Sequence, residues 1–386
     1  MIPLSVPYMA GNEVAYVTEA VREGWVSTAG SYVTQFERDI QSYSKAEAVT
    51  AVQSGTAALH TALLVAGVGI GDEVLVPTLT FIAAVNPIRY CGAEPVFMDC
   101  DQYLTIDCDK VEDFLKRECT VTADGVMNKS SRRRIKAIMA VHVLGNMADM
   151  ERLSQLADRY GLFLIEDATE ALGTYYQQGN LQGCFAGAIG DMGAYSFNGN
   201  KIITTGGGGM LLCKDRAKAN NASYLTTQAK DDVLYYVHNQ IGYNYRMTNI
   251  QAALGVAQLE HLESFISLKE GHFKEYHKVF GEIEGISLLE GPPKARNNHW
   301  LHAIQLTHEA WDRKEWIGQL RESGIECRPL WKLIHTQRMY QHNQTYHIEK
   351  AYGYVDKTIN IPSSVSLGQE EIAYIGKMIK DLAVKK

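Results

Sequence analysis

Apolar residues recur at helical spacing in "NEVAYVTEAVREG", from Asn12 to a stop at Gly24, and again in "SGTAALHTALLVAG", from Ser54 to Gly67. After them come apolar runs of strand length: "DEVLVPTLTF", "PVFMD", "RRIKAIMAVHVLG" and "LFLIEDATEALG". The helical patterns "IAAVNPIRYCG" and "DMERLSQLADRYG" separate these runs. Alternation of this kind predicts an α/β chain built on a large, mainly parallel sheet with helices on both faces. Ligands of such sheets bind beyond the carboxyl ends of the strands, so chemistry is sought there.

Helical periodicity runs through Met247–Ile283, longer than an ordinary single helix, and predicts a link between two domains. Beyond it, "HWLHAIQL", "DRKEWIGQLRESG" and "GQEEIAYIGKMIKDLA" suggest a smaller α+β unit. The expected division is a large domain over residues 1–261 and a small C-terminal domain over 262–386.

Composition narrows the function classes. At 386 residues and 46% hydrophobic content the chain can bury roughly three-quarters of its unfolded surface. A net charge of −7 offers no broad positive field for a nucleic-acid backbone, and Arg132–Arg134 reads as a solvated loop. There is no apolar run of about 18 residues and no signal-peptide pattern at the start, which points to a cytoplasmic protein with no membrane partner. Seven cysteines without a Cys-x-x-Cys fit reduced thiols, and His299 with His302 lacks the carboxylates that would complete a metal site. A dinucleotide fold would need Gly-x-Gly-x-x-Gly after the first strand, whereas the glycines Gly206–Gly209 precede the strand-like "MLLC".

Three places carry possible chemistry. Asp167 ends the apolar run "LFLIED", where an ionised carboxylate is costly unless a positive group faces it; the plain alternative is an acid capping the next turn. Ser54, Gly55 and Thr56 open a helix whose first amides can receive an anion, or the serine is simply a cap. Lys201, in "AYSFNGNKIITTGGGGM", is an amine that can react with an aldehyde if burial lowers its pKa, or else a surface lysine in a turn. An anionic phosphate, a ring nitrogen needing an acid and an aldehyde needing a lysine together describe pyridoxal 5′-phosphate (PLP).

The ordered segments "SGTAAL", "PTLTFIAAVNPI", "EDATEALGT", "YSFNGNK", "GYNYRMTNIQAALGVAQL" and "RPLWKLIHTQ" resemble the DegT/DnrJ/StrS sugar aminotransferases, which have the fold type I architecture of aspartate aminotransferase. The likeness extends from "GWVSTAGSYVTQFE" to "INIPSSVSLGQEEI", nearly the whole chain. It implies that Lys201 bonds the cofactor aldehyde, that Asp167 holds its ring nitrogen, and that Ser196 with the Gly55 and Thr56 amides binds its phosphate. Phe81 would stack on the ring, and Glu170 stands where many members place a cofactor-contacting Gln or His. Asn244 and Arg246 would reach the neighbouring subunit's cofactor, implying a homodimer with shared sites. For each of these the alternative is an ordinary packing or ion-pair role.

Lys201, rather than the histidine found in dehydratase relatives, implies transamination with L-glutamate as donor. Glu170 and the "NGN" before Lys201 resemble the subgroup that aminates C4 of UDP-linked 4-keto-6-deoxy-N-acetylhexosamines. The alternative substrate is a GDP- or dTDP-linked 3- or 4-ketosugar. Arg328 and His335, in "CRPLWKLIH", are the expected contacts to the nucleotide sugar.

Overall fold

A computed structural model describes residues 1–384. The strands that matter for the site are β1 (Ala48–Val52), β2 (Asp72–Pro77), β3 (Glu94–Met98), β4 (Arg134–Val141), β5 (Phe163–Asp167), β6 (Met192–Ser196) and β7 (Gly209–Cys213). They lie side by side in the order β1-β7-β6-β5-β4-β2-β3, within a sheet of ten strands. Pairings from β3 through β2, β4 and β5 to β6 are parallel, whereas β7 runs antiparallel to both β6 and β1. The strand-length apolar runs thus form the expected mainly parallel sheet.

Side chains of successive strand residues face opposite sides of the sheet. In β2, Leu75 joins one buried cluster while Val74 and Val76 join the cluster on the other face. The same alternation separates two adjacent acids in β5. Leu164 and Ile165 belong to opposite clusters, and Glu166 and Asp167 follow them to opposite sides. Glu166 is saturated by structure: it accepts the Gly187, Ile189 and Gly190 N–H groups at 2.8, 2.7 and 2.6 Å and meets His142 Nε2 at 3.0 Å. Asp167, on the face of the Gly55–Val65 helix, is left for other work.

The Met247–Ile283 periodicity resolves into two helices, Asn249–Leu259 and Leu262–Phe280. The chain breaks at Glu260–His261, where Gly11 of the N-terminal segment packs so closely that a Cβ on it would lie 2.2 Å from His261 Nε2. The first helix gives Ala252, Ala253 and Val256 to a large-sheet cluster; the second gives Phe265 and Ile266 to that cluster, but Tyr276 and Phe280 to a separate one. This separate cluster lies under a four-stranded sheet made of β8 (Ile286–Leu288), β9 (His302–Leu306), β10 (Arg328–Pro329) and β12 (Thr358–Ile361). The chain beyond residue 261 does not stay apart: β11 (Thr345–Tyr346) returns to the large sheet, parallel to β3. Among the described residues no helix is long and apolar enough to cross a membrane.

Glu166→Ala would strand three buried amides and His142, so it should lower unfolding free energy by about 3 kcal/mol in a denaturant titration. Glu47→Ala, at an exposed ion pair with Arg216 (60% and 68% exposed side chains), should change it by less than about 1 kcal/mol.

Candidate active site

Three strand ends and one helix start converge at the same edge of the sheet. β1 ends at Val52, opposite Gly209 at the start of β7, and Gly209 in turn faces Ser196 at the end of β6. Two residues beyond β1, Ser54 caps the Gly55–Val65 helix, its Oγ accepting the Ala57 N–H at 3.0 Å. The first backbone bond of that helix runs from Ala58 N–H to Ser54 O at 3.1 Å, so the Gly55 and Thr56 amides precede the ladder and point their positive ends outward. Gly55 is required by crowding: a Cβ there would come within 2.8 Å of Thr169 Cγ2 and 2.9 Å of Ser196 Cβ. The glycine run behind Lys201 has two separate uses. Gly206 turns at φ +76°, and Gly209 lets β7 pass so near the helix cap that a Cβ would sit 2.5 Å from the Ser54 carbonyl.

Lys201 is carried on a turn between β6 and β7, with its N–H donating to Asn198 O at 3.0 Å. Its amine points into a cavity of about 240 Å³ that Gly55, Thr56, Phe81, Glu170 and Ser196 also line, together with Trp300 and Trp331. Lys201 Nζ lies 3.9 Å from Glu170 Oε1 and 4.1 Å from the centre of the Trp300 ring. Asp167 lies behind the lining, 5% exposed, and accepts the Thr169 N–H at 3.1 Å.

The three ionisable groups are mutually dependent. Burial pushes the Lys201 amine below its ordinary range, while the charges of Glu170 and Asp167 pull it back up. Burial pushes the Asp167 carboxyl up, against the Thr169 hydrogen bonds and the Lys201 charge. Burial likewise raises Glu170 to about 7, opposed by Lys201 and by the Leu144 N–H that Oε2 accepts at 2.8 Å. Such a site suits a reaction in which an amine must be neutral to attack and charged soon afterwards.

Four of the expected residues do not line this chain's cavity, and two of them, Asn244 and Arg246, are those expected in a neighbouring subunit's site. Arg246 is engaged inside its own chain: its guanidinium forms a fork on Glu37, with Nη2 to Oε2 at 3.1 Å, and Glu37 also accepts the Ala51 N–H at 2.7 Å. Within its own chain the arginine therefore braces β1. Asn244 is bridged to Thr227 and does not line its own chain's cavity. Arg328 projects from β10 into solvent, 67% exposed, and pairs with Glu326 at 2.9 Å. His335 is held between Thr78 Oγ1 at 2.6 Å and Tyr352 Oη at 2.8 Å. Neither Arg328 nor His335 lines the cavity, because each is tied to a neighbour on its own side of the fold.

Trp300 and Trp331 were not legible as site residues. Both come from beyond residue 261, and no local spacing announces that a distant loop folds back over Lys201. The segment before Trp300 supplies the connection. Asn298, fully buried, donates to Glu170 O at 2.8 Å and Leu172 O at 3.0 Å, and accepts the Trp300 N–H at 3.0 Å.

Comparison with known proteins agrees with this geometry. Residues 7–380 match the DegT/DnrJ/EryC1/StrS aminotransferase family, and the chain belongs to that family. It is 37% identical over 381 residues to a GDP-perosamine synthase of Escherichia coli O157:H7, covering 98% of each chain. It is 35% identical over 373 residues to a GDP-perosamine synthase of Caulobacter vibrioides, covering 96% of this chain and 95% of the relative. Among solved structures, the PLP form of Spr1654 from Streptococcus pneumoniae superposes with a TM-score of 0.87 at 25% identity, covering 100% of this chain and 99% of that one. The architecture is that of fold type I aminotransferases, and the protein is a PLP-dependent sugar-nucleotide aminotransferase.

Glu170 gives a measurable pH signature. Its pKa in the fold, about 7, is above its ordinary 4.5. Its contribution to stability is therefore fully present below about pH 4.5 and is lost as pH rises through 7. The stability of the cofactor-free protein minus that of Glu170→Gln should fall across this window in denaturant titrations, and a flat difference would contradict the raised value.

Proposed function

We propose that the chain transfers an amino group from L-glutamate to the C4 keto group of a GDP-linked 4-keto-6-deoxyhexose. The observation that supports transamination most directly is that Lys201, on the cavity lining, and Asp167, buried out of that lining and 34 positions earlier in sequence, feel each other's charge. The nucleotide rests on the relatives, both of which are GDP-perosamine synthases; amination at C4 is carried over from the resemblance in the sequence. This reading replaces the UDP-linked N-acetylhexosamine expected from Glu170 and the "NGN" triplet.

The residues present fit PLP. A carboxyl driven up by burial at a strand end is relieved by a protonated ring nitrogen, which Asp167 would hold. Ser196 and the Gly55 and Thr56 amides would take the phosphate, Phe81 would cover a ring face, and Lys201 would bond the aldehyde. When bound, PLP supplies an electron sink for the carbon that loses or gains a proton and carries the amino group between the two substrates. Lys201 Nζ, made less basic by burial, takes the α-proton of glutamate and delivers one to the aminated sugar carbon in the second half of the cycle. Asp167 keeps a positive charge fixed where electrons accumulate.

A homodimer is part of this reading. The segment before Asn244 exposes Val233, Leu234, Tyr235, Tyr236 and Ile241 at 74 to 80% each, a concentration of apolar surface that a second copy would cover. Asn244, at the end of that segment, is the residue proposed to reach the partner's cofactor phosphate.

Incubation with L-glutamate and GDP-, UDP- and dTDP-linked 4-keto-6-deoxy sugars, followed by mass spectrometry, should show amination of the GDP sugar and release of 2-oxoglutarate. Turnover of a UDP sugar with none of the GDP sugar would refute the nucleotide assignment. Borohydride should fix PLP to the wild-type protein and not to Lys201→Ala, whose kcat should fall by about 10⁴-fold or more.

A further inference from the structure

The face of an indole lies against the Lys201 amine, and two hydrogen bonds hold the residue that carries it. Trp300 is 4% exposed. Its backbone N–H donates to Asn298 Oδ1 at 3.0 Å, and Asn298 is itself clamped to the carbonyls of Glu170 and Leu172. Its indole Nε1–H donates at 2.7 Å to Asn200 O, the carbonyl immediately before Lys201. The ring is thus tied both to the peptide that carries the lysine and to the turn that carries Glu170, and its centre lies 4.1 Å from Lys201 Nζ. A core tryptophan needs a partner for its N–H, but it does not need its face beneath the one amine in the cavity.

We propose that Trp300 is a positioning residue for transamination: its indole face is the seat that the Lys201 amine occupies whenever the lysine is not bonded to the cofactor, and it holds the charged form of that amine through its π electrons. This rests on the reading of Lys201 as the reacting amine. Over a full cycle that amine would leave the cofactor in the first half, carry a proton in each half and return only at the end of the second. A flexible four-carbon stem would otherwise explore several rotamers. The charged groups facing the amine are Glu170, 3.9 Å away, and the more deeply buried Asp167; both attract the cation, but neither fixes its direction. The aromatic face, 4.1 Å from the amine, adds a site of low desolvation cost.

Cofactor-free protein provides the test, by competitive acetylation across pH with the extent at Lys201 read by mass spectrometry. Loss of the π face removes stabilisation of the ammonium, so Trp300→Leu should move the Lys201 midpoint down by about one pH unit, and Trp300→Phe by less. A tryptophan that merely filled space would leave a gap for water, and the midpoint would rise. An unchanged or raised midpoint therefore overturns the proposal. Should Trp300→Leu fail to fold, biosynthetic replacement of tryptophan by mono- to trifluorotryptophan decides the matter, because fluorine drains the ring face without changing its shape. The midpoint should fall stepwise with fluorination and stay flat in Trp300→Phe carrying the same label; equal falls in both would trace the effect to another tryptophan and refute the assignment. In the holoenzyme, kcat of Trp300→Leu should drop about tenfold with little change in KM for the nucleotide sugar. The borohydride experiment tests Lys201 separately, so a failure of that reading would be distinguished from a failure of this one.

Discussion

Two groups that water would ionise freely, the Asp167 carboxyl and the Lys201 amine, are enclosed together where ionisation is expensive. Each is displaced from its ordinary range in the direction of neutrality, and each is pulled back by the charge of the other. That mutual dependence organises the site. Asp167 has to stand at the end of a buried strand, and Lys201 has to arrive on a turn within reach of its charge. Glu170 extends the set, since its carboxyl is near neutrality and within 4 Å of the amine. A cationic ring bound over Asp167 relieves its desolvation, which explains why the strand tolerates an acid there.

The supports of this pair come from separate regions of the chain. Glycines at positions 55 and 209 allow the helix start, the end of β6 and the start of β7 to approach within distances that any Cβ would forbid. From the other side, the segment around Asn298 fastens the part of the chain beyond residue 261 to the turn after β5 and lays Trp300 against Lys201. Movement of the smaller sheet relative to the larger one would therefore be felt at the amine through Asn298 and Trp300. Part of the cavity wall is aromatic: Phe81 and Trp331, which both line it, have ring centres 6.2 Å apart.

Much of the fold was legible because apolar periodicity reports which faces are buried, and the strand-helix alternation through "LFLIED" made a parallel sheet the natural arrangement. The break between Leu259 and Leu262 was not legible, since both helices share one periodicity and no glycine or proline marks the interruption. Arg328 and His335 carried chemistry suited to anion binding, but a polar side chain takes whichever partner the fold brings nearest. For Arg328 that is Glu326, and for His335 it is the Thr78 hydroxyl.

By itself, the sequence determined the kind of sheet, the acid at its strand end, the capped helix start and the lysine between small polar residues. These are local properties: an apolar run, a cap and a turn each record their own surroundings in adjacent residues. Only the tertiary structure decided that Glu166 is saturated by amides while Asp167 is not, that Arg246 braces β1, and that Trp300 meets the lysine amine. Those outcomes depend on which faces and loops come together across the chain, and contacts between residues far apart in sequence leave no mark in the spacing of either one.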